Sequence, residues 1–211
     1  MTSDSSAPDD LLRRAASGDG EAVAELFSHY RDRLKRMVLL RLDRRLQGKI
    51  DASDVLQEAY LDVARRAREI GSQPTMPFFL WLRLLTGQRL LAIHRSHFGT
   101  RMRDVGQEVA LHHGAMPQAT SASLAAQLLG RFTSPSLAAM RAEMKLRLQE
   151  ALNSMDPIDR EVLVLRHFEE LSNAETAEIL GLQKTAASNR YVRALKRLRS
   201  ILQSMPGFVD D

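Results

Sequence analysis

Lys184, Arg193, Lys196 and Arg197 recur with Ser188 and Asn189 at spacings that share one side of a helix. No acidic residue falls between Lys184 and Arg199. Cations neutralise phosphates, and short polar side chains near a helix N-terminus reach base edges in the major groove. The chemistry this set suits is duplex DNA binding. Charge alone is equally consistent with a solvated basic face, so the residues around the set carry the distinction. Ser172 with Glu175 three positions on forms a capping box, and Ala174, Ala177 and Leu180 continue at helical spacing. Gly181 suits the left-handed close of that helix, and Leu182 can fill the corner. Ala187, Tyr191, Ala194, Leu195, Leu198 and Leu202 give the next helix a buried side. Leu165 to Leu202 therefore reads as a helix-turn-helix whose second helix is cationic.

A second cluster has the opposite sign. Asp54, Glu58 and Asp62 stack at i, i+4 and i+8 of a predicted helix that opens at Asp51. Like charges at that spacing cost about 0.2–0.5 kcal/mol per pair. The helix dipole offsets this only in the first turn. The pattern reads either as a solvated acidic face or as a stripe presented to a basic partner. Ala52, Val55, Leu56, Ala59 and Val63 supply the buried side of the same helix.

Composition narrows the class. The chain has 211 residues, 44% hydrophobic and 5% aromatic, with a net charge of +4. That suits helical cores and a polyanionic partner. There is no cysteine, which excludes a disulfide framework, a cysteine zinc site and a thiol nucleophile. No apolar run approaches about 20 residues, and the polar, acidic start is unlike a secretory signal, so a cytoplasmic protein is expected. No GxxxxGK[ST], HExxH or nucleophile triad is evident, so no enzyme is expected. His94, His97, His112 and His113 do not form a convincing ligand set, so neither a metal nor another cofactor is expected.

In order, residues 1–8 read as a disordered tail. A short helix follows from Asp10 to about Ser17, and a long one from Glu21 to about Leu46. The Arg-rich side of the long helix, Arg41 included, reads as solvated. After the Asp51 helix comes a proline-containing loop, GSQPTMP. A strongly apolar segment then opens at Phe78 and turns basic, and Phe79 and Trp81 read as core. Weak periodicity and scattered glycines make 104–133 a linker, with a short turn of helix over Ser123–Leu129. The second domain spans 134–204, with Pro135 at a first helical position and Asp156-Pro157 restarting the chain. Residues 205–211 read as a tail. The expected fold is all-α: two small helical domains, 9–103 and 134–204, joined by a flexible linker, the second containing the helix-turn-helix.

Two motifs in this order resemble one family. DASDVLQEAYLDV is similar to the core-binding helix of the sigma-70 family in its extracytoplasmic-function (ECF) group, which typically reads DAEDLVQETFLRA. MDPIDREVLVLRHFEELSNAETAEILGL resembles that group's fourth domain, typically LPPREREVLLLRYFEGLSYEEIAEILGI. FFLWLRLLTGQRLLAIHR looks like the family's FxxWLYxIARN helix. The resemblance runs from about Asp10 to Leu202.

It implies a dissociable, non-catalytic subunit that joins core RNA polymerase and directs it to promoters. The partners it implies are core RNA polymerase and promoter DNA. Many members are also held by an anti-sigma factor, and no residue here identifies one. On this resemblance Asp54, Gln57, Glu58 and Asp62 meet a basic polymerase surface. The loop Glu69 to Met76 matches the place where a flipped base is captured. Arg83, Gln88, Arg89 and Arg95 face the minus-ten strand. Lys184, Thr185, Ser188, Asn189, Arg190, Arg193 and Lys196 occupy the recognition helix for the minus-thirty-five element, with Ser188 or Asn189 on bases and Arg190, Arg193 and Lys196 mostly on phosphates. The chain departs from the pattern in having LTGQ for IARN, Ala92 for an aspartate, Gln183 for a capping serine and Ala186 for a threonine. The competing reading is a helix-turn-helix repressor or activator that does not bind core polymerase.

Overall fold

Asp51, Asp156 and Ser172 each open a helix, as their positions before an apolar stripe predict. The computed structural model describes residues 9–72, 76–98, 108–111, 114–132 and 138–204. The expected tails 1–8 and 205–211, residues 73–75 of the proline-containing loop and the helix start at Pro135 lie outside the described residues. The chain divides into two units, Met1–Pro117 and Gln118–Asp211.

The first unit holds helices α1 (Asp9–Ala16), α2 (Gly20–Arg41), α3 (Ala52–Arg65) and α4 (Phe78–Phe98), with a 3-10 segment at Ala67–Ser72. Asp19 caps α2, accepting the backbone N–H groups of Glu21 and Ala22. Its core joins Leu26, Tyr30, Leu34 and Val38 of α2 to Val55, Leu56 and Val63 of α3 and to Phe79, Leu82 and Leu90 of α4. Tyr30 and Phe79 lie 5.3 Å apart between ring centres. Phe79 and Trp81 are both buried, as core residues should be.

Helix α2 stops five residues before the expected end at Leu46. Leu42 leaves in an extended conformation. The Asp43 carboxylate then accepts the backbone N–H of Arg45 at 2.8 Å and pairs with the Arg45 guanidinium. Such a local side-chain bond offers the backbone an alternative to the helix, and here the alternative wins over the apolar period. The Asp43 backbone N–H donates to Nε2 of His94, a buried residue of α4.

The stretch read as a linker carries structure. Strands β1 (Glu108–Leu111) and β2 (Gly114–Pro117) pair antiparallel, with Glu108 opposite Pro117 and Leu111 opposite Gly114. The hairpin belongs to the first unit. Met116 packs on Gly87 of α4 so closely that a Cβ built on Gly87 would lie 2.2 Å from the Met116 Cε. Arg41, expected on a solvated face, is instead 1% exposed and donates to the Pro117 carbonyl at 2.9 Å. The long apolar stem of arginine makes this burial possible while the head finds an oxygen.

The second unit holds α5 (Ser121–Phe132), α6 (Ala138–Asn153), α7 (Pro157–Leu163), a π-helical stretch (Val164–Phe168), α8 (Asn173–Leu180) and α9 (Lys184–Gln203). Helix α5 is longer than the single turn expected. It buries Leu124, Ala125, Leu128 and Leu129 and packs on α6. Arg160 of α7 reaches the Ser121 hydroxyl and the Leu152 carbonyl, tying α5 and α6 to the helix-turn-helix.

After the π stretch the Glu169 N–H donates to the Val164 carbonyl, and Glu170 sits at φ +57°. That is the left-handed region in which a Cβ is strained. The ECF pattern quoted above carries glycine at this position. The Ser172–Glu175 capping box is present in both directions. Gly181 closes α8 at φ +62°, with the Leu182 N–H on the Ala177 carbonyl. Apart from the hairpin the described residues form helices and turns, so the all-α expectation holds.

Candidate nucleic-acid interface

Helix α9 turns Ala187, Ala194, Leu198 and Ile201 into the unit and leaves the opposite side in solvent. Lys184, Thr185, Ser188, Asn189, Arg193 and Lys196 are exposed, and Arg190 is half-buried. All seven residues assigned to the recognition helix lie on α9. Its N-terminus has no side-chain cap, because Gln183 makes no such bond. Asn173 of α8 instead donates to the Lys184 carbonyl at 2.8 Å, fixing the corner between the two helices. Arg166 lies over the Tyr191 ring and donates to the Leu171 carbonyl. The recognition helix is thus held from three sides while its first turns stay open.

Two of the four cations among these seven have a partner that sequence reading missed. Asp159 of α7 accepts the Arg193 Nε and Nη2 groups at 2.5 and 2.7 Å and the Arg190 Nη1 at 2.6 Å. These bonds hold the Asp159 carboxyl below the usual carboxylate range, the Arg193 hydrogen bond being the largest cause. Asp159 stands more than thirty residues from both arginines, so no local spacing could reveal the contact. Its only signal was a carboxylate in the first turn of a helix, which the dipole alone explains.

In the first unit the acidic stripe is not uniform. Asp54, Gln57 and Glu58 are exposed on α3. Asp54 already accepts the Asp51 backbone N–H at 3.0 Å, closing the capping box. Asp62 is half-buried and accepts from Arg89 of α4 through Nε at 2.9 Å and Nη2 at 2.5 Å. Glu58 lies 3.4 Å from the same guanidinium. The repulsion in the stripe is therefore relieved from within the unit, without an outside partner. The exposed remainder is the N-terminal part, centred on Gln57 and Glu58.

The four residues assigned on α4 differ in their exposure. Arg83 is 3% exposed and lies on the buried side of the helix. Helix α4 is buried round most of its circumference, and an arginine in such a helix follows the packing rather than the charge. Arg89 is half-buried and turned to Asp62. Gln88 and Arg95 are exposed and share with Ala92 a face at i, i+4 and i+7. Of the four residues assigned to the minus-ten strand, these two lie on the open face.

Among the described residues no group of three or more histidine, cysteine or acidic side chains could hold a metal ion. No helix among them is long and apolar enough to cross a membrane.

Residues 145–198 match the family described as Sigma-70, region 4. That span runs from α6 through the helix-turn-helix to Leu198, within the last two turns of α9. Over 200 residues the chain is 27% identical to the ECF RNA polymerase sigma factor BldN of Streptomyces coelicolor, covering 95% of this chain and 67% of that protein. It is 26% identical over 194 residues to the ECF RNA polymerase sigma factor SigK of Mycobacterium tuberculosis, covering 92% of each. Among solved structures it shares its fold with CnrH in the complex with the cytosolic domain of CnrY. The TM-score there is 0.53 at 21% identity, over 92% of this chain and 96% of that one. The likeness to BldN and SigK runs through both units, and the region 4 match lies over the helix-turn-helix, so the chain is similar to ECF sigma factors of the sigma-70 family along most of its length.

Proposed function

We propose that the chain is a transcription-initiation sigma factor that binds core RNA polymerase and directs it to specific promoters as a non-catalytic subunit. One observation carries the reading: a helix-turn-helix in the region 4 match presents an exposed, acid-free cationic helix, α9. In this reading the second unit takes the minus-thirty-five element as duplex. Lys184, Arg193 and Lys196 supply phosphate contacts, which carry most of the affinity and make it depend on salt. Ser188 and Asn189, near the helix start, supply base contacts. The first unit takes polymerase on the exposed part of α3, Gln57 and Glu58, and the minus-ten strand on Gln88 and Arg95.

The test is retention of core RNA polymerase from the native host by the tagged chain. Glu58→Arg is the control of choice, because Asp54→Arg would also break the cap of α3. Retention by the wild type and loss in Glu58→Arg is the expected result. No retention in a purified system, with duplex binding intact, would make the chain a conventional DNA-binding regulator.

A further inference from the structure

Asp159 offers Arg190 and Arg193 what a DNA phosphate would offer them: a planar or near-planar pair of anionic oxygens taking a guanidinium fork. Arg193 meets it side-on through Nε and Nη2, and Arg190 adds Nη1 to the same carboxylate. Only 8% of the Asp159 side chain is exposed, whereas 61% of the Arg193 side chain is. The carboxylate therefore sits behind the arginine and not in front of it. An arginine carries five N–H donors, so the donors that Arg193 does not spend on Asp159 point outward in a fixed plane. The cluster of one carboxylate and two guanidinium groups carries one net positive charge, where the two arginines alone would carry two. Asp156 lies a further 3.5 Å from Arg190 and is itself exposed.

We propose that Asp159 is a positioning residue that sets DNA specificity, by removing one charge from the recognition helix and fixing the outward donors of Arg193. The inference rests on the reading of α9 as the DNA-binding helix. Non-specific affinity follows the number of phosphate-neutralising cations, whereas specific affinity needs those cations in register with the base contacts. A buried carboxylate behind the arginines lowers the first and secures the second, so the ratio between them rises.

The experiment uses the full chain and two duplexes of equal length. One is selected by the wild type from a randomised pool, and the other is its shuffled sequence. Binding is followed by fluorescence anisotropy across a salt series. Asp159→Asn keeps the shape and loses the charge. The expected result is a several-fold gain on the shuffled duplex and a log–log salt slope steeper by about one. The gain on the selected duplex is smaller, so the specificity ratio falls. Asp159→Glu, which keeps the charge, retains the wild-type slope.

A purely structural carboxylate would give a different result. Both affinities would fall together in Asp159→Asn with the slope unchanged, and that outcome overturns the inference. Should Asp159→Asn fail to fold, Arg193→Lys tests the other side of the pair. It keeps the charge and cannot make the side-on fork, so affinity for the selected duplex alone should fall, and equal losses on both duplexes overturn the inference. If the wild type selects no duplex at any salt, the DNA-binding reading of α9 itself fails, and this inference with it.

Discussion

Arg89 on α4 and Asp62 on α3, assigned from sequence to two different partners, are bonded to each other through the arginine Nε and Nη2 at 2.9 and 2.5 Å. The pair joins two core helices of the first unit and neutralises the inner end of the acidic stripe. Both side chains are partly exposed, so solvent screening keeps the coupling near about 0.5–1 kcal/mol. A double-mutant cycle of Arg89→Ala and Asp62→Ala, read by thermal unfolding, should return that coupling. Strict additivity would mean that the two do not interact in solution.

Glu170 should be improvable. Its backbone lies at φ +57°, where glycine is unstrained. Relief of strain, less the extra freedom glycine gives the unfolded chain, predicts that Glu170→Gly stabilises the second unit by about 0.5–1 kcal/mol. A higher urea midpoint with an unchanged slope is the expected readout. A lower midpoint would show that contacts of the glutamate side chain outweigh the strain.

Met116 limits how large a side chain position 87 can carry. The Met116 Cε is the free end of a flexible chain, so Gly87→Ala should be tolerated within about 1 kcal/mol, helped by the better helix propensity of alanine. Gly87→Leu has no such escape and should release β2 from α4. Limited proteolysis reads the difference: new cleavage near Met116 in the leucine variant and none in the alanine variant.

His94 makes the first unit sensitive to acid. Burial pushes its pKa below the ordinary histidine value, and as a neutral ring it accepts the Asp43 N–H. The unfolded chain then binds the proton more readily than the folded one. Stability is thus complete above the unfolded value of about 6.5 and is lost as pH falls from there through the lower folded value. Melting temperatures measured from pH 8 to pH 5 should decline more steeply in the wild type than in His94→Gln, which keeps an acceptor without titrating. Parallel curves would remove His94 as the cause.

Arg193→Ala should weaken promoter duplex binding several-fold and flatten its salt slope by about one. Retention of core RNA polymerase should not change, because Arg193 lies in the second unit. Equal loss of both activities would contradict the division of labour between the two units.

Most of the helices were legible in the sequence because they are set by near neighbours, although α2 ends before the expected Leu46 and α5 outruns its expected turn. The caps at Asp51, Asp156 and Ser172, the left-handed close at Gly181 and the buried stripe of α9 all depend on residues within a turn or two. The same locality made the cationic face of α9 readable. What tertiary structure decided was the fate of each charge. Arg41 found a carbonyl 76 positions away, Arg89 a carboxylate 27 away and Arg193 one 34 away. The hairpin was hidden for the same reason, since its anchors are Gly87 and Arg41 on other elements. Local spacing fixes which face of a helix a side chain occupies, and only the packed chain fixes what that face meets.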